Sequence, residues 1–208
     1  MTPPIRLDRL LTLQEFFEFE QATPIHHEFI AGEVYARAGA SKRHHRVLSN
    51  IHLRTASAAA NGPCGVYVEG VRLQVGSDIY YPDLMVECSA IDADELTVTE
   101  PCLLIEITSP ATARIDRTSK LDAYCGIPSL KTYLIVEQAW RRVVRHWRDA
   151  NGTWQQEDLR SDGAIMLPCP EVILTLDQIY QGLAPLTVRE MEALGYGAEG
   201  APPITAPA

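Results

Sequence analysis

Two carboxylates of this sequence stand where a negative charge is costly. Asp83 follows Pro82 inside the strand-like run 79–86, and Glu106 interrupts the apolar run 102–108. A carboxylate buried in such a run must be paired, hydrogen-bonded or bound to a metal ion, because desolvating it alone is strongly unfavourable. Asp83 and Glu106 are therefore candidates for a functional site.

Lys120 is the cation best placed to join them. It stands four residues after Asp116 and four before Tyr124, so these side chains share one stripe of a helix predicted over residues 112–124. Helical side chains lean toward the N-terminus, which lets Lys120 reach back toward Glu106. The structural alternative is a simple pair with Asp116, which would contribute only about 0.3–0.5 kcal/mol.

Two carboxylates and an ammonium group suit metal-assisted hydrolysis of a phosphodiester. Oxygen ligands favour a hard cation such as Mg²⁺, for which Mn²⁺ can substitute. The metal would act as a Lewis acid, while lysine would help to activate water or stabilise the developing negative charge. This chemistry predicts a site built from Asp83, Glu106 and Lys120.

Two further positions could complete the site. Glu28 and Glu33 lie on opposite arms of a predicted β-hairpin that turns at Gly32. Either could be the third acidic residue of the site, and we slightly favour Glu28. His44 lies near the start of a predicted helix, where a phosphate would also find free backbone N–H groups. A solvated helix start is an equally good interpretation of His44.

The charge balance restricts the class of protein. The chain of 208 residues has 18 Lys and Arg against 27 Asp and Glu, a formal net charge of −9. This argues against a non-specific nucleic-acid coat protein, which needs a basic surface. It leaves open an enzyme that holds a metal with carboxylates, and also a catalytically inert module that acts in binding or assembly. No apolar run approaches the roughly 20 residues of a membrane helix, so we expect no membrane partner and a cytoplasmic location.

The five cysteines are an odd number and contain no C-x-x-C pair. This pattern argues against a disulfide framework and against a structural zinc site. They are Cys64, Cys88, Cys102, Cys125 and Cys169.

The elements that must position these residues follow from periodicity and turn signals. We predict a helix from Ser41 to about residue 60, a strand at 102–108, the helix at 112–124 and a strand at 132–136. The last three form a βαβ crossover, which implies a parallel pair within a mixed sheet. Shorter predicted elements are a helix at 13–19, the hairpin at 27–36, strand-like runs at 66–69, 71–75 and 79–86, a basic hairpin around Asn151-Gly152 and a short helix at 176–181. The fold class is α/β or α+β, with one domain over 1–194 and a flexible tail over 195–208.

At this point the ordered motifs resemble a known family. Residues 25–180 are similar to the Uma-type putative restriction endonuclease family, a branch of the PD-(D/E)XK nuclease superfamily. The superfamily usually places a lysine two residues after the glutamate, where this chain has Thr108, but the Uma-type family takes its lysine from the following helix, at Lys120. The matching pieces are Tyr81-Pro82-Asp83, the segment from Glu106 to Thr112, Arg114, Asp116, Lys120-Leu121, Tyr124, the hairpin from His27 to Glu33, the helix start from Ser41 to Val47, and the segment from Gly126 to Val136.

The resemblance implies a fold, an activity and a set of site residues. The fold would be a restriction-endonuclease-like mixed sheet flanked by helices, with a hairpin extension. The activity would be metal-dependent endonucleolytic cleavage of DNA, carried out by a homodimer whose two sites address two strands. Asp83, Glu106 and Glu28 would hold Mg²⁺, and Lys120 and His44 would assist catalysis.

Overall fold

The computed structural model describes residues 5, 7, 9–37, 39–89, 94–109 and 112–196. The helices are Leu13–Gln21 (α1), Lys42–Ala59 (α2), Ala113–Asp116 (α3), Ser119–Cys125 (α4), Leu176–Ile179 (α5) and Val188–Ala193 (α6). The strands are His27–Ile30 (β1), Glu33–Ala36 (β2), Gly65–Val68 (β3), Arg72–Val75 (β4), Asp78–Tyr80 (β5), Leu84–Glu87 (β6), Thr97–Val98 (β7), Pro101–Thr108 (β8), Thr132–Glu137 (β9), Arg142–Arg148 (β10), Trp154–Arg160 (β11), Ala164–Pro168 (β12) and Glu171–Thr175 (β13).

The strands form two larger sheets and a separate hairpin. The six-stranded sheet has the order β11-β10-β9-β8-β6-β3, and its β8 and β9 run parallel while its other pairs are antiparallel. The five-stranded sheet has the order β2-β1-β5-β4-β7 and contains the predicted hairpin at 27–36. Strands β12 and β13 pair with each other. This arrangement confirms the predicted α+β class, the mixed sheet and the parallel crossover.

Helix α2 forms where its sequence places a cap and an apolar stripe. The Ser41 hydroxyl accepts a hydrogen bond from the backbone N–H of His44 at 3.0 Å, which satisfies one of the free donors at the helix start. Val47 and Ile51, one turn apart, and Leu48 beside them are buried and pack into the same core cluster as residues of β6 and β8. The cap and the stripe together hold His44 at the sheet.

Strand β8 is buried along its whole length and separates two core clusters. Leu103 and Ile105 pack with α2 in the first cluster, while Leu104 packs with Tyr124 in the second. Because side chains alternate along a strand, Glu106 shares the face of Leu104. The carboxylate therefore projects toward α4, as the period-two pattern predicts.

Two predicted elements are each divided in the structure. The run 79–86 was expected as one strand, but β5 belongs to the five-stranded sheet and β6 to the six-stranded sheet. Pro82 lies at the break, because proline has no N–H to donate to a strand ladder. The predicted helix 112–124 is two helices: Thr118 leaves the helical region at φ −127° and ψ −92°, and the buried Tyr133 hydroxyl donates a hydrogen bond to the Asp116 carbonyl at 3.0 Å. A continuous helix would use that carbonyl for the N–H of Lys120.

The prediction that the cysteines form no disulfides is wrong. The structure bonds Cys64 to Cys88 and Cys102 to Cys169, which are 24 and 67 residues apart, and leaves Cys125 free. Sequence spacing could not show these pairs because the fold alone brings the partners together.

Other predictions stay open. No helix in the described ranges has both the length and the apolar character needed to cross a membrane. Most of the predicted tail at 195–208 lies outside the described residues, which end at residue 196. The single domain over 1–194 stays a prediction.

Candidate active site

The candidate residues line one cavity of about 550 Å³. Its lining includes all five predicted site residues, which come from β1, α2, the break before β6, β8 and α4: Glu28, His44, Asp83, Glu106 and Lys120. Glu33 is exposed, and its carboxylate accepts a hydrogen bond from the Tyr35 hydroxyl at 2.6 Å. The geometry therefore favours Glu28 over Glu33 as the third acidic residue near the site.

Lys120 is the centre of the carboxylate cluster. Its Nζ lies 2.9 Å from Glu106 Oε1, 2.9 Å from Glu28 Oε1 and 3.8 Å from Asp116 Oδ1. The Tyr124 hydroxyl donates to the same Glu106 oxygen at 2.9 Å. The contact with Asp116 is the longest of the three, so Lys120 is more than the partner of an acid one turn earlier. It joins β1, β8 and α4.

Asp83 is held beside Glu106 by the backbone of β8. The N–H of Ile107, the residue after Glu106, donates to Asp83 Oδ2 at 2.7 Å. Asp83 Oδ1 lies 3.4 Å from His44 Nε2 and 3.8 Å from a guanidinium nitrogen of Arg37. Asp83 thus links α2 to β8 across the cavity wall.

Burial and neighbouring charges shift the ionisation of these groups in opposite directions. Burial raises the pKa of Glu106 to about 8. Lys120 lowers this pKa, while the nearby Asp116, Asp83 and Glu28 raise it. Burial likewise raises the pKa of Asp116 to about 6. Burial would also raise the pKa of Asp83, but His44, the Ile107 N–H and Lys120 more than offset it and hold that pKa below its usual value.

The two basic side chains of the site both become stronger bases. Burial alone would lower the pKa of Lys120, but Glu106, Glu28 and Asp116 raise it well above its usual value. Burial would also lower the pKa of His44, and Asp83 more than offsets that effect, so the pKa is raised. Both side chains are therefore biased toward their charged forms.

The structure adds residues that sequence reasoning did not assign to the site. Asp116 and Tyr124 contact Lys120 and Glu106, and their spacing of four residues from Lys120 was the available signal. Glu69 lies with His44 and Asp83 so that one ligand atom of each is within 4.8 Å of the others. Nothing in the sequence around Glu69 indicates this position, because the fold alone brings its segment to the cavity.

The basic hairpin formed by β10 and β11 makes mostly internal contacts. Arg141 pairs with Asp177, Arg142 with Asp158 at 2.8 Å, Arg145 donates to the Met166 carbonyl at 2.9 Å, and Arg148 donates to the Cys125 carbonyl at 3.1 Å. These contacts favour the interpretation in which the arginines offset acidic and carbonyl groups of this chain. The basic groups that line the cavity besides His44 and Lys120 are Arg37, Arg43 and His45.

Known proteins share both sequence and fold with this chain. It is 27% identical over 177 residues to the uncharacterized protein slr1290 of Synechocystis, covering 84% of this chain and 93% of that protein. It is 29% identical over 161 residues to the uncharacterized protein sll1609 of the same organism, covering 75% and 91%. A crystal structure from Anabaena variabilis, described as "a putative nuclease belonging to DUF820", superposes with a TM-score of 0.65 at 18% identity, covering 81% of this chain and 97% of that one. The last likeness establishes a shared fold.

The family follows from a match over most of the chain. Residues 13–177 fit the model of the Uma2 family, whose description is "Putative restriction endonuclease". That span contains β1, α2, β6, β8 and α4, and with them every residue predicted for the site. The chain therefore belongs to the Uma2 family.

Proposed function

We propose that this protein is a divalent-metal-dependent nuclease that hydrolyses DNA phosphodiester bonds. The observation that carries the proposal is an excess of buried acid. Glu28, Asp83, Glu106 and Asp116 are each at most 7% exposed. Glu28, Glu106 and Asp116 surround one buried lysine, Lys120, and Asp83 is bound to the backbone of β8 beside Glu106. Buried charge of one sign is costly unless a cation neutralises it, so the cluster suits a bound metal ion.

The donor set fits a hard divalent cation. Its donor atoms are carboxylate oxygens, which suit the hard cations Mg²⁺ and Mn²⁺ better than they suit Zn²⁺ or copper. Asp116 Oδ1 is buried and accepts no hydrogen bond from the described residues. We assign Asp83 and Glu106 as ligands and Glu28 as the third acidic group. Burial already favours the protonated form of Glu106, so metal binding there would be coupled to the loss of a proton.

The residues of the chain have separate roles in this proposal. When bound, the ion supplies Lewis-acid stabilisation of the charge that develops on the phosphate. Lys120 fixes Glu106 and Glu28 and provides a permanent positive charge at the cavity wall. His44, whose pKa Asp83 raises, is positioned to donate a proton or a hydrogen bond to a phosphate oxygen.

The cavity also has features that would attract a polyanion despite the net charge of −9. Arg37 and Arg43 line it together with the first residues of α2. A helix N-terminus and guanidinium groups both favour phosphate. We further propose that two copies pair so that two sites address the two strands of a duplex.

Cleavage of supercoiled plasmid DNA tests the proposal. The wild-type protein should nick or linearise the plasmid with Mg²⁺ or Mn²⁺ and not with a chelator. Glu106→Ala and Asp83→Asn should abolish cleavage. Glu33→Gln, a change at an exposed acid of the β1–β2 hairpin, should cleave like the wild type. Equal cleavage by wild type and Glu106→Ala would remove the assignment.

Calorimetric titration with Mn²⁺ separates the nuclease from an inert module of the same fold. The nuclease should release or absorb heat in a saturable step that Asp83→Asn eliminates. Lack of such a step in the wild-type protein would favour the inert module.

A further inference from the structure

Four of the five cysteines meet at the end of the six-stranded sheet that lies away from the cavity. Cys64 precedes β3, Cys88 follows β6, Cys102 is the second residue of β8, and Cys169 lies in the turn between β12 and β13. Cys102 precedes Glu106 by four residues, about 13 Å along an extended strand. The cluster is therefore separate from the carboxylates.

The two disulfides of this cluster lie in contact with each other. Cys64 is bonded to Cys88, and Cys102 is bonded to Cys169. Across the two pairs, Cys88 Sγ is 3.1 Å from Cys169 Sγ and 3.6 Å from Cys102 Sγ. The four sulfurs thus form one compact group contributed by four separate segments.

We propose that, once two equivalents of an external dithiol have reduced both disulfides to four thiols and have themselves become disulfides, the protein binds a Zn²⁺ ion through the thiolates of these four cysteines. Zinc bound to four sulfurs is tetrahedral with Zn–S bonds of about 2.3 Å, which places the sulfurs roughly 3.8 Å apart. The 3.6 Å between Cys88 and Cys102 is close to that spacing. The ligand atoms of Cys64, Cys88 and Cys169 also all lie within 4.8 Å of one another. On reduction the two bonded pairs would separate toward that spacing, and the fourth ligand, Cys102, lies beside Cys88 and Cys169.

The surroundings suit a structural site rather than a reactive thiol. Cys102 and Cys169 are buried in the first core cluster, and Cys64 and Cys88 pack against it partly buried. Each thiol loses its proton to solvent as its sulfur binds, so one Zn²⁺ and four thiols give a complex of charge −2 and four protons. The closed set of four sulfurs leaves no position for substrate, which is typical of structural zinc.

In the reduced protein the site would join the same parts of the fold that the two disulfides link. Cys102 belongs to β8 and Cys88 directly follows β6, while Cys169 lies in the turn of the β12–β13 hairpin. A structural zinc ion supplies folding free energy because the unfolded chain has no preformed site. The absence of a C-x-x-C pair in the sequence does not oppose this site, because each ligand comes from a different segment.

Titration of the reduced, chelator-treated protein with Co²⁺ and then Zn²⁺ tests the proposal. We expect the visible absorption of a tetrahedral cobalt–thiolate centre to saturate at about one equivalent of Co²⁺ and to disappear when Zn²⁺ displaces the cobalt. Cys169→Ser should reduce this absorption strongly, and Cys125→Ser, at the free cysteine outside the cluster, should leave it unchanged. Glu106→Ala should also leave it unchanged, which separates this site from the proposed nuclease site.

Alkylation of the wild-type protein provides a second measurement that needs no variant. In the reduced protein, Zn²⁺ should protect the four clustered cysteines from iodoacetamide and leave Cys125 reactive, as read by mass spectrometry of peptides. Failure of the reduced wild-type protein to bind Co²⁺ or Zn²⁺, or equal alkylation of the clustered cysteines with and without Zn²⁺, would overturn the proposal.

Discussion

Replacing Lys120 by methionine tests the buried charge cluster directly, because methionine keeps most of the side-chain length and removes the charge. Lys120 is 6% exposed and lies 2.9 Å from both Glu106 and Glu28. Lys120→Met would leave these carboxylates buried without their cation. We expect a large loss of stability in the metal-free protein.

The size of this loss follows from opposing terms. At an effective dielectric constant near 20, each 2.9 Å contact corresponds to about 6 kcal/mol of Coulomb attraction. Desolvation of the ions offsets most of that attraction, and removal of one partner of a buried pair costs about 3–5 kcal/mol. That attraction applies fully only where both groups are ionised. Because the pKa of Glu106 is raised to about 8, this carboxyl is mostly protonated at neutral pH, and the loss comes mainly from the contact of Lys120 with Glu28. We therefore expect the lower end, about 3 kcal/mol.

A double-mutant cycle measures the effect and can refute it. The free energy of unfolding in urea is compared at neutral pH, with chelator present, for the wild type, Lys120→Met, Glu106→Gln and the double variant. The coupling between the two sites should be about 1–3 kcal/mol. Lys131→Met, at an exposed lysine, is the control and should change stability by less than about 0.5 kcal/mol. A Lys120→Met variant as stable as this control would refute the reasoning.

Further predictions concern ionisation and packing. The free energy of unfolding of the metal-free protein should fall as the pH rises from about 4.5 to about 8, because native Glu106 keeps its proton over this range and the unfolded chain does not. Urea unfolding measured across this pH range should show a smaller fall for Glu106→Gln. The pKa of His44, followed by NMR of its ring protons, should lie above the usual value, and Asp83→Asn should move it below, because burial then dominates; no movement would contradict the Asp83 contact. Leu104→Ala should cost about 2–5 kcal/mol in urea unfolding and the exposed Leu53→Ala much less, and equal costs would contradict the assigned core.

Local signals in the sequence predicted those elements whose formation depends on neighbouring residues. Ser41 and the apolar stripe after it predict α2, because a cap and a helical face act within a few turns. The alternation around Glu106 predicts correctly that it shares a face with Leu104, because side-chain direction in a strand has a period of two. The family motif directs attention to Lys120 although Thr108 occupies the usual lysine position.

Contacts between distant segments were beyond these signals. The sequence left Glu28 and Glu33 as alternatives, and only the pairing of the sheets buries Glu28 against Lys120 while Glu33 stays exposed. Pro82 is a local signal for a break in the run 79–86, but nothing local shows that the two halves enter different sheets. The position of Glu69 near the site depends in the same way on the fold.

The amino-acid sequence by itself predicted most of the helices and strands, the mixed sheet, the family and the residues that we propose as metal ligands. These follow from local backbone preferences and from the cost of placing a charge in an apolar run. Only the tertiary structure decided which carboxylates contact Lys120, that Asp83 binds the backbone of β8, and which cysteines are bonded. Those outcomes depend on packing between segments tens of residues apart, where burial and distance set the interaction energies and sequence spacing carries no information about either.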